Sequence, residues 1–215
     1  NVAAALCPPY PYLYLALLSN ISFGAQDVFY EKEGAYTGGV SARMLKELGI
    51  KYVIVGHSER RALGDTDEIV NKKIKITLDS GIIPVLWVGE LERDVHGDYL
   101  NLVKEQIHRA LKGVEKNKIG KIIIAYEPVW AVGKNARGVL PGEEALHMNI
   151  FIRKVISDLS GVLAAKKLRV LYGGSVDAGN TREFLRVGKM DGLLVGRDSL
   201  VPKNFLAIIE NANRS

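Results

Sequence analysis

The sequence has few of the features that mark secreted, membrane or disulfide-stabilised proteins. Its 215 residues include one cysteine, Cys7, so no disulfide can form within the chain and the cytoplasm is the expected location. No stretch reaches the roughly 20 apolar residues that cross a bilayer. Prolines interrupt the apolar residues 1–18, so we expect no membrane association.

Basic residues are scattered rather than clustered. Lys and Arg number 29 against 24 Asp and Glu, which gives a net charge of +5. Lys72, Lys73 and Lys75 have the spacing of a solvated helix face. No basic run carries interleaved aromatic residues, so we expect an anionic small substrate rather than nucleic acid.

Common cofactor motifs are also missing from the sequence. The four histidines, His57, His96, His108 and His147, are too dispersed to form a cluster with metal-ligand spacing. No Gly-x-Gly-x-x-Gly fingerprint follows a predicted strand. We therefore expect neither a metal nor a nucleotide cofactor.

Short apolar, β-branched runs alternate with longer segments of helical period. The predicted strands are residues 2–6, 21–25, 52–55, 83–88, 122–125, 169–172 and 192–195. The predicted helices lie near residues 11–18, 41–48, 67–80, 98–114, 142–159, 181–187 and 202–211. No Ser/Gly-rich linker divides these units, so we predict one domain over residues 1–215.

This alternation indicates an α/β protein with a parallel sheet buried on both faces, either open or closed into a barrel. Polar residues follow many different strands, which favours a barrel, because an open sheet concentrates them at one switch point. These residues are Gln26, His57, Glu90, Glu127, Ser175 and the Gly196–Arg197 pair. The pattern supplies one βα unit fewer than the eight of such a barrel.

Two of the strand ends carry candidate acid–base residues. His57 follows the strand at 52–55, and a lone histidine there is more often structural than catalytic. Glu127 follows the strand at 122–125, where a buried carboxylate is costly unless it has a task.

The last two strands end in glycines and exposed backbone amides, near Ser175 and at Gly196. In this kind of barrel these loops often bind phosphate. Glycines alone are weak support, since they also form plain turns.

Together, these segments resemble the triosephosphate isomerase family, over essentially the whole chain and in the family's order. The matching segments are residues 24–26, 31–38, 55–61, 84–90, 125–133, 171–175 and 194–197. The resemblance implies a TIM (β/α)8 barrel, represented by its second to eighth βα units. It also implies a triose phosphate substrate, and the interconversion of dihydroxyacetone phosphate and D-glyceraldehyde 3-phosphate through an enediolate in glycolysis and gluconeogenesis.

The resemblance implies a role for each matching residue. Glu127 resembles the family's base, and His57 the neutral imidazole that polarises the substrate oxygens; this pairing is the family's own. Glu59 resembles a second glutamate beside the histidine, with an ion pair to Arg60 or Arg61 as the alternative.

The remaining implied roles concern phosphate, a lid and a partner subunit. Backbone amides that hold phosphate are implied at Gly133, Ser175, Gly196 and Arg197. A lid over the site is implied for residues 128–138, which begin with Pro128, Val129, Trp130, Ala131 and Val132. A homodimer is implied through the loop that runs from Asp27 to Gly39 and includes Thr37.

The sequence departs from the family pattern at several places. Arg197 replaces the second glycine of the phosphate loop, Trp87 stands where a small cysteine is common, and the lid is slightly longer. No segment resembles the Asn-x-Lys motif that ends the family's first strand. The first βα unit is therefore expected to be missing, the catalytic lysine is unassigned, and the activity of this chain alone is open.

Two other interpretations stay open at this stage. A non-catalytic scaffold would keep the phosphate loops, but it would have no chemical need for both His57 and Glu127. A different phosphate-binding barrel enzyme would need other residues at the strand ends.

Overall fold

A computed structural model describes residues 2–94, 96–132 and 138–215. Seven parallel strands form one sheet in the order β1 to β7, and each strand pairs with the next one along the chain. Within the described residues, no pairing joins β1 to β7. The strands are Ala5–Leu6, Ser22–Ala25, Tyr52–Val55, Ile83–Val88, Ile123–Tyr126, Arg169–Tyr172 and Gly192–Leu193.

Both faces of the sheet are buried, as the near-continuous apolar strands predict. Along β4, Leu86 and Val88 join a large cluster that includes helix residues such as Ile74 and Ile107. Alternate residues on the other face form a smaller cluster of strand residues, which lines the inside of the barrel. Its buried members are Ile54, Val85, Trp87, Ile123 and Ala125.

Helical segments follow the strands. The α-helices are α1 Ala42–Glu47, α2 Ser58–Ala62, α3 Asp67–Asp79, α4 Asp98–Ala110, α5 Lys116–Ile119, α6 Gly142–Ser160, α7 Val162–Lys167 and α8 Pro202–Asn213. Three 3-10 helices cover Tyr10–Leu18, Val129–Ala131 and Arg197–Leu200, and a π-helix covers Glu183–Val187. Capping explains several starts: the side chains of Ser41 and Thr66 accept hydrogen bonds from backbone N–H groups in α1 and α3.

The alternation predicted from the sequence is confirmed, with differences in the ends of elements, in the type of one helix and in three short additional helices. β1 and β7 are shorter than predicted, and β5 is shifted by one residue. The first predicted helix is a 3-10 helix that contains Pro11. The segment predicted as one helix over 98–114 ends at Ala110, and the short helices α2, α5 and α7 were not predicted.

One lysine of the predicted solvated face is buried. Lys73 is 2% exposed, and its ammonium contacts Asp27 at 2.7 Å and Asp65 at 2.5 Å. The prediction was wrong for this residue because the helix spacing cannot reveal carboxylates supplied by two other segments. Across the described part of the chain, no helix is long and apolar enough to cross a membrane.

Candidate active site

The parallel register brings the ends of the central strands to one edge of the sheet. Val55 pairs with Leu86, Trp87 pairs with Ala125, and Tyr126 pairs with Tyr172. The residues that follow β3, β5 and β6 therefore lie at the same end of the barrel, which is where active sites of this architecture are found.

His57 is placed by the turn between β3 and α2. Gly56 has φ +77°, a left-handed conformation that glycine adopts without strain, and His57 then caps α2. The Nδ1 atom of His57 accepts a hydrogen bond from the backbone N–H of Glu59 at 3.2 Å. An accepting Nδ1 assigns the proton of a neutral ring to Nε2, which can then donate to a ligand.

Glu127 follows β5 and is 4% exposed. Its Oε2 atom accepts hydrogen bonds from the Ser58 hydroxyl at 2.9 Å and from the Trp87 indole N–H at 2.5 Å. Burial raises the pKa of the Glu127 carboxyl above its ordinary value, while the hydrogen bonds from Trp87 and Ser58 and the nearby His57 act in the opposite direction. A raised pKa suits a carboxylate that exchanges protons near neutral pH.

Close packing fixes the backbone at Glu127. A Cβ atom at position 89 would lie 1.7 Å from the carbonyl oxygen of Glu127, so only glycine fits there. The Glu127 N–H donates to the carbonyl of Val88 at 2.9 Å. The end of β4 therefore fixes the backbone position of Glu127.

Glu59 lies beside His57 with its carboxylate in solvent. Its side chain is 88% exposed, and Oε2 lies 4.0 Å from Nδ1 of His57. The two arginines that could have paired with it contact aspartates instead: Arg60 contacts Asp27 at 3.0 Å, and Arg61 contacts Asp67 at 2.8 Å.

The described start of the predicted lid, residues 128–132, is anchored to Glu90. The indole N–H of Trp130 donates to Oε1 of Glu90 at 2.9 Å, and the Val129 N–H donates to its carbonyl at 3.0 Å. Glu90 is fully buried and also accepts hydrogen bonds from Tyr126 and Arg93. Burial next to this carboxylate raises the pKa of the Tyr126 hydroxyl.

The candidate phosphate residues lie after β6 and β7. The Ser175 hydroxyl donates to the carbonyl of Ala131 at 3.0 Å, so the loop after β6 contacts the start of the lid. Gly196 and Arg197 are exposed at the start of the last 3-10 helix. Gly133, the fourth candidate, lies outside the described residues.

The loop from Asp27 to Gly39 follows β2, and its residues 32–38 are exposed. Its base is closed by the Phe29 N–H, which donates to the Val40 carbonyl at 2.8 Å. Thr37 is exposed at its tip, and the neighbouring Tyr36 packs its ring 4.8 Å from that of Phe29. The described residues contain no group of His, Cys, Asp and Glu that could hold a metal ion.

Comparison with known proteins decides the family. The triosephosphate isomerase family model matches residues 1–212. The chain belongs to the triosephosphate isomerase family. Curated triosephosphate isomerases from Dictyoglomus thermophilum and Thermus thermophilus are 45% and 44% identical to it over 212 and 215 residues. These alignments cover 96% and 97% of this chain, and 84% and 85% of the relatives.

Sequence reasoning selected His57 and Glu127 as the candidate acid–base residues of this chain but did not predict the side chains that contact them. Ser58 and Trp87 bind the Glu127 carboxylate, and Arg93 and Tyr126 bind Glu90. The position of Ser58 directly after His57 was a usable signal. The sequence marked Trp87 only as a large residue where the family commonly has a small cysteine, and the structure places its indole against Glu127 and His57.

Proposed function

We propose that Glu127 is the base and His57 the electrophile of a triose-phosphate isomerase. The family's reaction is the interconversion of dihydroxyacetone phosphate and D-glyceraldehyde 3-phosphate in glycolysis. The observation that supports these roles is the buried carboxylate of Glu127 beside an imidazole whose Nδ1 accepts a backbone N–H. This arrangement, a carboxylate beside an imidazole whose Nε2 can donate, is the one such an isomerase uses.

The proposed chemistry moves one proton between adjacent carbons. The Glu127 carboxylate takes a proton from C1 of dihydroxyacetone phosphate, and the electron pair of the broken C–H bond forms the enediolate. The Nε2–H of His57 donates to the developing oxygen anion. The O1 hydroxyl proton passes to O2 by way of Nε2 of His57, and Glu127 returns the carbon-bound proton to C2 as the C1–O1 double bond forms, which gives the aldehyde product.

Substrate phosphate is held, in this proposal, by backbone amides at Gly133, Ser175, Gly196 and Arg197. The hydrogen bond from Ser175 to Ala131 links this site to the predicted lid. Closure of the lid would exclude water, which otherwise allows the enediolate to lose phosphate. Glu59, next to the histidine, is assigned an auxiliary role through its charge near Glu127.

The same family membership supports three proposals about the whole chain. The chain forms one barrel domain, acts in the cytoplasm, and associates as a homodimer through the loop from Asp27 to Gly39. The exposed position of Thr37 at the tip of that loop leaves it free to meet a partner subunit.

Replacement of the base tests the central assignment. Glu127→Gln should lower kcat by at least about 10²–10⁴-fold, the typical contribution of general-base catalysis, and leave the circular dichroism spectrum unchanged. The measurement is isomerisation coupled to a glycerol-phosphate dehydrogenase. A folded Glu127→Gln variant with the parent kcat would contradict the assignment, and a parent chain without activity would favour the scaffold interpretation.

A further inference from the structure

Trp87 occupies the inside of the barrel directly beneath the candidate base. It is 4% exposed and belongs to the cluster of strand residues on the inner face of the sheet. A Cβ atom at position 173 would lie 3.2 Å from the indole ring, so Gly173 on the loop after β6 leaves room for it. The Trp87 ring therefore extends from β4 and packs against the residue that follows β6.

The indole contacts both residues of the proposed acid–base pair. Its N–H donates to Oε2 of Glu127 at 2.5 Å, and its ring centroid lies 4.2 Å from that of His57 at an angle of 54°. The Ser58 hydroxyl, from the turn that carries His57, donates to the same Oε2 atom at 2.9 Å. Two donors on one oxygen restrict the orientation of the carboxylate.

From this geometry, and resting on the proposed function, we propose that Trp87 is a positioning residue: it orients the Glu127 carboxylate against His57 and stabilises its ionised form. A buried indole N–H needs an acceptor in any protein. Here the acceptor is a carboxylate, and a hydrogen bond to an ionised group is about twice as strong as a neutral one.

The groups around Glu127 shift its pKa in opposite directions, and the Trp87 contact is one of them. His57 and Glu59 face the carboxylate from the β3–α2 turn, and Tyr172 faces it from β6. Burial raises the pKa of the Glu127 carboxyl, and Glu59 adds to that effect. The Trp87 N–H, with Ser58 and His57, acts in the opposite direction and lowers the pKa, which favours the ionised form of this buried carboxylate.

Removal of the N–H donor tests the proposal, and one of the two variants also keeps the shape of the side chain. The variants are Trp87→Phe and a chain with 3-benzothienylalanine at position 87, which replaces the indole N–H by sulfur. The readout is a pH titration of the Glu127 carboxyl by ¹³C NMR, with its signal identified by comparison with Glu127→Gln. Both variants should raise the midpoint by about one pH unit, because a hydrogen bond to the charged form is lost.

The kinetic readout separates positioning from simple packing. Well above the midpoint, where Glu127 is ionised, both variants should lower kcat by about tenfold with little change in KM, since the carboxylate loses its alignment. Trp130→Phe is the matched control, because it removes an indole N–H from Glu90 and should leave the Glu127 midpoint in place. Trp130 and Trp87 are the two tryptophans of the chain, so the two variants together test every tryptophan.

An unchanged Glu127 midpoint in the benzothienylalanine chain would overturn the proposal, even if Trp87→Phe did not fold. A shifted midpoint supports the contact whatever the activity, because NMR reads the carboxyl directly. If Glu127→Gln kept the parent kcat, the base assignment alone would fall.

Discussion

The environment of Glu127 predicts how activity depends on pH. A base works only when ionised, and burial raises the pKa of this carboxyl above the ordinary 4.5. Activity should therefore be lost, as pH falls, at a higher pH than for an exposed glutamate. The pH profile of kcat/KM should fall about tenfold per unit on its acid side, with a midpoint above 4.5.

Glu59→Gln provides the comparison for this profile. Its carboxylate is 88% exposed, so solvent screens its effect on Glu127, and the midpoint should move down by less than about half a unit. A parent midpoint at or below 4.5 would contradict the raised pKa.

Arg197 stands at a loop where the family has glycine, and its side chain is exposed. Among the described residues other than glycine, only Lys189 has a left-handed φ. The φ of Arg197 lies outside that region, so the backbone accepts the larger residue without strain. We predict that the side chain points to solvent. Arg197→Gly should then change the affinity for a phosphate analogue by less than about fivefold, measured by calorimetry. A loss of about 1.5–3 kcal/mol would indicate a direct contact.

At the scale of elements, Lys73 joins three segments around the site. Asp27 follows β2, Asp65 lies between α2 and α3, and Lys73 lies within α3. Arg60 adds a second cation, 3.0 Å from Asp27 and 3.8 Å from Asp65. This network holds the base of the loop at Asp27 against the helix that follows His57.

Lys73→Met should therefore destabilise the protein strongly. Removal of the ammonium leaves buried carboxylates under-compensated, which typically costs about 3–5 kcal/mol. Urea unfolding measures the free energy of unfolding. Lys72→Met is the matched control, because Lys72 is 57% exposed and its contact with Glu31 is 3.7 Å long; it should cost at most about 1 kcal/mol. Equal losses in the two variants would contradict the role of the buried network.

Strands and candidate acid–base positions could be predicted from the sequence, and the contacts between elements could not. The seven strands were predictable because each is a short apolar run, and His57 and Glu127 became candidates because they follow two of these runs and match the family's motifs. The bond from Trp87 to Glu127 depends on the register between β4 and β5, which no local pattern encodes. Lys73 is similar, because its partners lie 46 and 8 residues away along the chain.

At the scale of the whole molecule, the loop from Asp27 to Gly39 is the proposed dimer contact. In this loop Thr37 is exposed, and Tyr36 is 45% exposed although aromatic. A stable interface buries about 800 Å² on each partner, and the same loop on two copies would contribute to it twice under two-fold symmetry.

We predict a dimer at micromolar concentration in sedimentation equilibrium. Thr37→Arg should yield monomers, because a charge would be buried at the contact. Leu163→Arg, at a 75% exposed position on α7, should stay dimeric. A monomeric parent chain would contradict the dimer. A dimeric Thr37→Arg variant would show that the contact lies elsewhere.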